Sequence, residues 1–165
     1  MNGMIESPED PDLIALYAYW ASKCAGRAMP RRADIDPCEI PALLPHVFIV
    51  EIHRSPRLRF RLRLVGSAIC QRWGEALTGR WLDELDCDDE RGAMLRQYTA
   101  IAHSGTPSID VAEFNSDHGR YLHYWRLLLP LSDAGSDAGD TPAMIFGAHK
   151  AIAVDGYRVA GPKWI

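Results

Sequence analysis

The chain has 165 residues and a formal net charge of −4. That length suits one domain able to bury a core without metals or disulfides, and the mild acidity excludes a global pull toward nucleic acid or anionic membrane. A composition 47% hydrophobic and 24% charged excludes a disordered tail as the whole, and no apolar run nears the roughly 20 residues that span a bilayer.

Residues 1–11 read as a flexible leader. Its acids and prolines stand where a secretory signal needs basic and then apolar residues. Cys24, Cys38, Cys70 and Cys87 show no CxxC spacing, so reduced thiols and a cytoplasmic location are expected. A helix is predicted over residues 12–25, opened by Pro11 and Asp12 and closed by Gly26. Leu13, Leu16, Tyr17, Trp20 and Cys24 form one apolar stripe on it. Such a stripe packs onto the chain's own sheet or across a two-fold axis onto a second copy, and the pattern suits both.

Pro30, Pro37, Pro41 and Pro45 then forbid a long helix. Asp36 before Pro37 reads as the cap of a short turn running to Leu44. Arg27, Arg31, Arg32, Asp34 and Asp36 suit a loop knitted by local ion pairs, or a recognition surface. The segment His46–His53 has the β-branched content of a buried strand.

Residues 57–65 carry the clearest pattern. Arg57, Arg59, Arg61 and Arg63 alternate with Leu58, Phe60, Leu62 and Leu64. Period two means a strand with one wet and one buried face, and the Ser55-Pro56 turn before it predicts an antiparallel hairpin. The four arginines offer forked donors to an anion or an acidic partner. The simpler reading pairs them with Glu51, Asp110 or Glu113 on neighbouring strands.

GSAICQRWG suits a helical turn or two, and LTGRWLDEL another. Asp88 or Asp89 is expected to cap a longer helix reaching about His103 and stopped by Gly105. Three strand-like runs follow, PSIDVAEFN, RYLHYWRLLLPLS and TPAMIFGAHKAIAV. Between the last two, Ser132–Thr141 repeats SDAG and reads as a mobile hairpin tip. Helix, two strands, helices and three strands predict an α+β domain over residues 12–155, one antiparallel sheet with helices on one face, and a tail at 156–165.

The segments LIALYAYWASKCAGRAMPRRADIDP, IPALLPHVFIVEI and RLRFRLRLVGSAICQRWGEALTGRWLDEL occur in succession, and with the later strands they cover roughly residues 12–152. On these the chain resembles short single-domain bacterial PAS-domain proteins. The resemblance implies a PAS-like five-stranded antiparallel sheet around a small cavity, and a sensor or docking module with no output domain of its own. It also implies that the inner sheet face and the central helices line any pocket, which points to Phe60, Leu62, Ile69, Trp73, Trp81, Tyr98, Tyr124 and Phe146. The faces of residues 121–129 are not separable, because both Tyr121, His123, Trp125 and Leu122, Tyr124, Leu128 are apolar enough to bury. N-terminal helices of PAS proteins often pair, which makes Leu13, Leu16, Tyr17 and Trp20 the expected homodimer or packing helix.

No cofactor is identified. Among His46, His53, His103, His118, His123 and His149, only His103 sits where a haem ligand would, with no haem motif around it. Cys70 lacks the asparagine-rich motif of flavin photosensors. No metal site is expected, since no two histidines have zinc spacing with an acid. There is no GxSxG, P-loop or GxGxxG, and Asp83, Glu84, Asp86, Asp88, Asp89 and Glu90 read as a solvated cap region. The expectation is therefore a cytoplasmic regulatory module, not an enzyme, that binds a small organic ligand, a signalling protein, or both. A ligand-free interaction module is the alternative, and a small α+β enzyme the third possibility. Nucleic acid and membrane are not expected partners.

Overall fold

The computed structural model describes residues 10–115, 121–133 and 140–152. The leader up to residue 9, His118, the centre of the SDAG repeat and the tail lie outside these residues. Helix α1 spans Pro11–Lys23. Its cap is Asp10, whose carboxylate accepts from the backbone N–H of Asp12 and Leu13. The proline-rich stretch forms three short 3-10 turns, Arg32–Asp34, Pro37–Glu39 and Leu44–His46, because each proline removes the donor a longer helix needs. Asp36 caps the second turn by accepting from Cys38 N–H at 2.9 Å. The mixed-charge loop is tied locally, Arg27 to Asp34 at 2.7 Å and Arg31 N–H to Asp34 at 2.8 Å.

Strands β1 (Val47–His53) and β2 (Arg59–Val65) form the expected antiparallel hairpin. Helix α2 (Ser67–Trp73), a turn at Leu82–Glu84 and helix α3 (Asp88–Ser104) follow. Strands β3 (Ser108–Asn115), β4 (Tyr121–Leu131) and β5 (Met144–Ala151) complete one antiparallel sheet in the order β2-β1-β5-β4-β3. The second and third strands in sequence are thus opposite edges, and the chain crosses between them through α2 and α3.

Period two sorts the sheet into two faces. Phe48, Val50, Phe60, Leu62, Leu122, Tyr124, Leu128 and Ile145 form an inner layer with Ile69 and Trp73 of α2 and Met94, Tyr98 and Ile101 of α3. Val47, Ile49, Leu127, Leu129, Leu131, Phe146 and Ala148 face the other way, against Leu13, Leu16 and Trp20 of α1. The helix stripe is therefore spent on the chain's own sheet. Trp20 Nε1 donates to the Pro130 carbonyl at 2.9 Å, and Lys150 Nζ donates to Asp12 at 2.5 Å. Tyr17 drops out of the buried stripe, with 48% exposure, and Ile14 stands out at 53%.

Three local expectations are corrected. Leu64 is exposed, because Ile49 pairs with Leu64 but Val50 with Leu62, and the extra residue Arg63 makes a β-bulge that turns Leu64 outward. Asp110 and Glu113 do not pair with the arginine stripe, because β3 is the edge farthest from β2. The residue capping α3 is Cys87, without a side-chain bond; Asp88 is already helical and pairs with Arg91 at 2.7 Å.

Candidate functional site

The inner layer encloses a void of about 20 Å³ between sheet and helices. That is room for one water-sized group. Phe48, Leu62, Ile69, Trp73, Tyr98 and His149 are among its walls. The layer is not wholly apolar. Tyr124 and Arg126 lie on one face of β4, and Arg126 is the register partner of His149 on β5. Tyr124 and His149 stack with ring centroids 4.3 Å apart. Arg126 is 0% exposed and His149 7%.

Helix α3 supplies partners for this patch. Arg126 Nε donates to Gln97 Oε1 at 2.6 Å, and Arg126 Nη2 donates to Glu90 Oε1 at 3.2 Å. Gln97 Nε2 in turn donates to Ser108 Oγ at 3.0 Å. The partnering is incomplete. Arg126 Nη1, Trp73 Nε1 and both ring nitrogens of His149 are buried without a hydrogen bond. The Tyr124 hydroxyl feels the Arg126 guanidinium but makes no well-aligned hydrogen bond. Buried groups of this kind are normally satisfied by protein or by ordered water, and the void that Trp73 and His149 line is the size of one such water.

The electrostatics follow from burial. His149 is held well below the ordinary imidazole range, first by burial and then by the guanidiniums of Arg126 and Arg72, so its ring is neutral. Burial pushes the Tyr124 phenol up to about 12, and the Cys87 thiol up to about 11. Burial also raises the Glu90 carboxyl, against the pull of Arg126. The site is donor-rich, with a buried guanidinium facing one carboxylate that burial disfavours.

Of the sequence-derived pocket residues, Leu62, Ile69, Trp73 and Tyr98 line the void, and Phe60 and Tyr124 pack in the same layer. Two lie elsewhere. Phe146 is in the layer under α1, since it follows Ile145 by one residue and period two sends it to the other face. Trp81 sits at the β2 edge, covered by the Arg59 guanidinium 4.1 Å from its ring and by His53 at 5.0 Å. Arg126 and His149 were not among the pocket residues, because the two faces of residues 121–129 were not separable and His149 was weighed only as a metal or haem ligand. The signal was the phase: both share the parity of inner-facing neighbours, Arg126 with Tyr124 and His149 with Ile145 and Gly147.

The arginine stripe is largely engaged. Arg59 grips Asp83 with a fork at 2.9 and 2.8 Å and reaches Glu84 at 2.9 Å. Arg63 pairs with Glu51 at 2.5 Å, and Arg61 donates to the Gly79 carbonyl at 3.2 Å. Arg57, 73% exposed, lies 3.8 Å from Asp83. His103 is exposed at the end of α3. Among the described residues no group of three His, Cys, Asp or Glu could hold a metal, and no helix is long and apolar enough to cross a membrane. A second concavity, an open groove of about 410 Å³, runs between α1 and the start of β3, along Leu13, Ile14, Tyr17, Pro107 and Ile109.

A five-stranded antiparallel sheet in the order 2-1-5-4-3, with helices over a central chamber, defines a PAS-type sensor fold. The chain belongs to the PAS domain family, whose model matches residues 9–149. The fold is shared with solved structures at low identity. The light–oxygen–voltage protein of Rhodobacter sphaeroides is 13% identical, covering 74% of this chain and 71% of its own, at a TM-score of 0.53. A light–oxygen–voltage domain studied with a flavin analogue is 13% identical over 72% of this chain and 84% of its own, with a TM-score of 0.51. An RNA-binding light–oxygen–voltage receptor is 15% identical over 74% of this chain and 35% of its own, at 0.50. No curated protein matches the chain by sequence.

A flavin does not fit this chamber. Sites for organic cofactors occupy several hundred Å³, against the void of about 20 Å³ here. Tyr98, Phe48, Met94 and Leu85 fill the intervening space.

Proposed function

We propose that the chain is a non-catalytic regulatory PAS module, with a small-molecule input at the inner face of its sheet and a protein contact as its output. The observation that carries the reading is the polar pair of Trp73 and His149 in the wall of the inner void, with Arg126 buried beside His149 as its register partner. A ligand-free interaction module would fill this layer more simply with apolar side chains, since a buried polar group costs about 1–3 kcal/mol wherever it is left unpaired. Acid–base catalysis gains no support from four of the six acids noted in sequence, which are engaged: Asp83 and Glu84 by Arg59, Asp88 by Arg91 and Glu90 by Arg126. The test is native mass spectrometry of the purified protein before and after denaturation, with a thermal-shift screen of small metabolites. A released small molecule or a saturable shift is expected. An empty protein unmoved by the whole panel would overturn the sensing half of the proposal.

The groove beside α1 favours a second reading, an interaction or homodimerisation module. Ile14 and Tyr17 are both about half exposed at its rim. Light scattering on Ile14→Glu and Tyr17→Asp separates the cases: a loss of mass with the fold intact supports the contact, and an unchanged mass removes it.

A further inference from the structure

The small void of the inner layer has two residues with unpaired polar atoms in its wall. The inference drawn from it deepens the ligand-sensing reading above and, for any occupant other than water, rests on it. Phe48, Leu62, Ile69 and Leu82 close much of the void with carbon alone. A wall made only of such groups would stay dry. Trp73 and His149 change that. Trp73 is 3% exposed and His149 7%, and both line the void. Trp73 Nε1 and both ring nitrogens of His149 are unpaired.

Their chemistry selects the occupant. The indole N–H only donates, so the occupant must accept. The neutral imidazole carries one N–H and one bare nitrogen, so it presents the void with a donor or an acceptor. A hydroxyl oxygen answers both cases, because it holds two lone pairs and its own O–H. An ion does not. It would exchange its hydration shell for two polar groups in a largely carbon-lined space, and the same burial already keeps His149 uncharged. Size sets the last limit. A void of about 20 Å³ holds one oxygen, and the wall residue best able to give room for a carbon beside it is Met94, unbranched and adaptable.

We propose that this void is a one-hydroxyl site, in which a single neutral O–H group, that of water or of a small alcohol, accepts from Trp73 Nε1–H and bonds a ring nitrogen of His149. Trp73 ends α2, and His149 lies on β5, the middle strand of the sheet. The hydroxyl therefore bridges a helix over the chamber and the strand beneath it. The ligand that the sensing reading calls for is then a neutral alcohol, with carboxylates and ammonium ions excluded.

Nuclear magnetic resonance at the indole N–H of Trp73, assigned with Trp73→Phe, tests this. In the wild type a through-space cross-peak between that proton and water is expected, with the rotating-frame sign that separates it from hydrogen exchange. His149→Leu should weaken the peak severalfold or more by removing the second partner. Methanol is then titrated in. A saturable loss of the water peak, matched by a new peak to the methanol methyl group, assigns the site to alcohols as well. An unchanged water peak assigns the hydroxyl to water alone. No cross-peak from water or methanol in the wild type would overturn the one-hydroxyl site. An undiminished peak in His149→Leu would overturn the bridge. A dry void with a positive metabolite screen would leave the sensing reading standing without this inference, and an occupied void with a silent screen would do the reverse.

Discussion

Arg126 and His149 face one another across the β4–β5 pair, so a fixed cation and an imidazole share one buried patch of sheet. The imidazole yields, being the one of the two that can discharge near neutral pH. Burial first, and this neighbouring cation second, give the site its pH behaviour.

Above about pH 7.5, His149 is neutral in both the folded and unfolded chains and adds no pH dependence. Below its ordinary value of about 6.5, the unfolded chain takes up a proton that the folded chain refuses. Stability should therefore fall with pH, at a slope approaching about 1.4 kcal/mol per unit, and reach a loss of about 2 kcal/mol by pH 5. Glu90 acts in the opposite sense: its raised carboxyl lets the folded form keep a proton sooner as pH falls. Urea unfolding of wild type and His149→Gln between pH 5 and 8 isolates the histidine. The variant should show a clearly shallower slope, and parallel curves would refute the assignment.

The Arg126 network should respond asymmetrically to its removal. Glu90→Ala leaves the buried guanidinium without its carboxylate and should destabilise by about 3 kcal/mol. Arg126→Met leaves Glu90 and Gln97 Oε1 without their donor, but a carboxyl can discharge by taking up a proton where a guanidinium cannot, so this variant should cost less, about 2 kcal/mol. Urea midpoints at pH 7.5 give both values, and a reversed order would show that Glu90 is not the compensating charge.

Helix α1 supplies a second pair of expectations. Leu16→Ala opens a cavity in the outer layer and should cost about 3 kcal/mol. Trp20→Phe keeps most of the packing but orphans the Pro130 carbonyl, for about 1 kcal/mol. Ile14→Glu, on the exposed flank, should alter stability by less than about 0.5 kcal/mol. Thermal unfolding that ranked Ile14→Glu above Leu16→Ala would place the buried face wrongly.

Gly66 marks the close approach between β2 and the turn at Leu44–His46. A methyl group there would meet the carbonyl oxygens of Pro45 and Leu44, both backbone atoms that cannot rotate away. Gly66→Ala should destabilise by at least about 2 kcal/mol, as overpacking against backbone does. A wild-type melting temperature would show that the turn moves freely.

Much of the architecture was legible because it rests on period. The alternation at Arg59–Leu62 and the stripe Leu13, Leu16, Trp20 both describe one buried face, and both occur as read. The partner of α1 was not legible, because an apolar stripe looks alike under its own sheet or a second copy. Long-range order was equally hidden: nothing local to β2 says that β3 lies four strands away, so Asp110 and Glu113 were offered as partners the arginines never meet, while Glu51 on β1 does pair with Arg63. Leu64 fell to the bulge at Arg63, which shifts the phase without changing the residues. The polar site was the largest omission. Arg126 and His149 carry the right parity but the wrong chemistry for a core, and only the sheet's pairing reveals that they adjoin.

The sheet is a partition one strand thick. Arg126 looks into the chamber, while its chain neighbours Trp125 and Leu127 press on the layer beneath α1. On β5, His149 looks inward and Lys150 holds Asp12 of that helix on the far side. The two faces are therefore back to back on the same two strands. Tilting β4 or β5 about its own axis would move both faces together, in opposite directions, like the two ends of a seesaw.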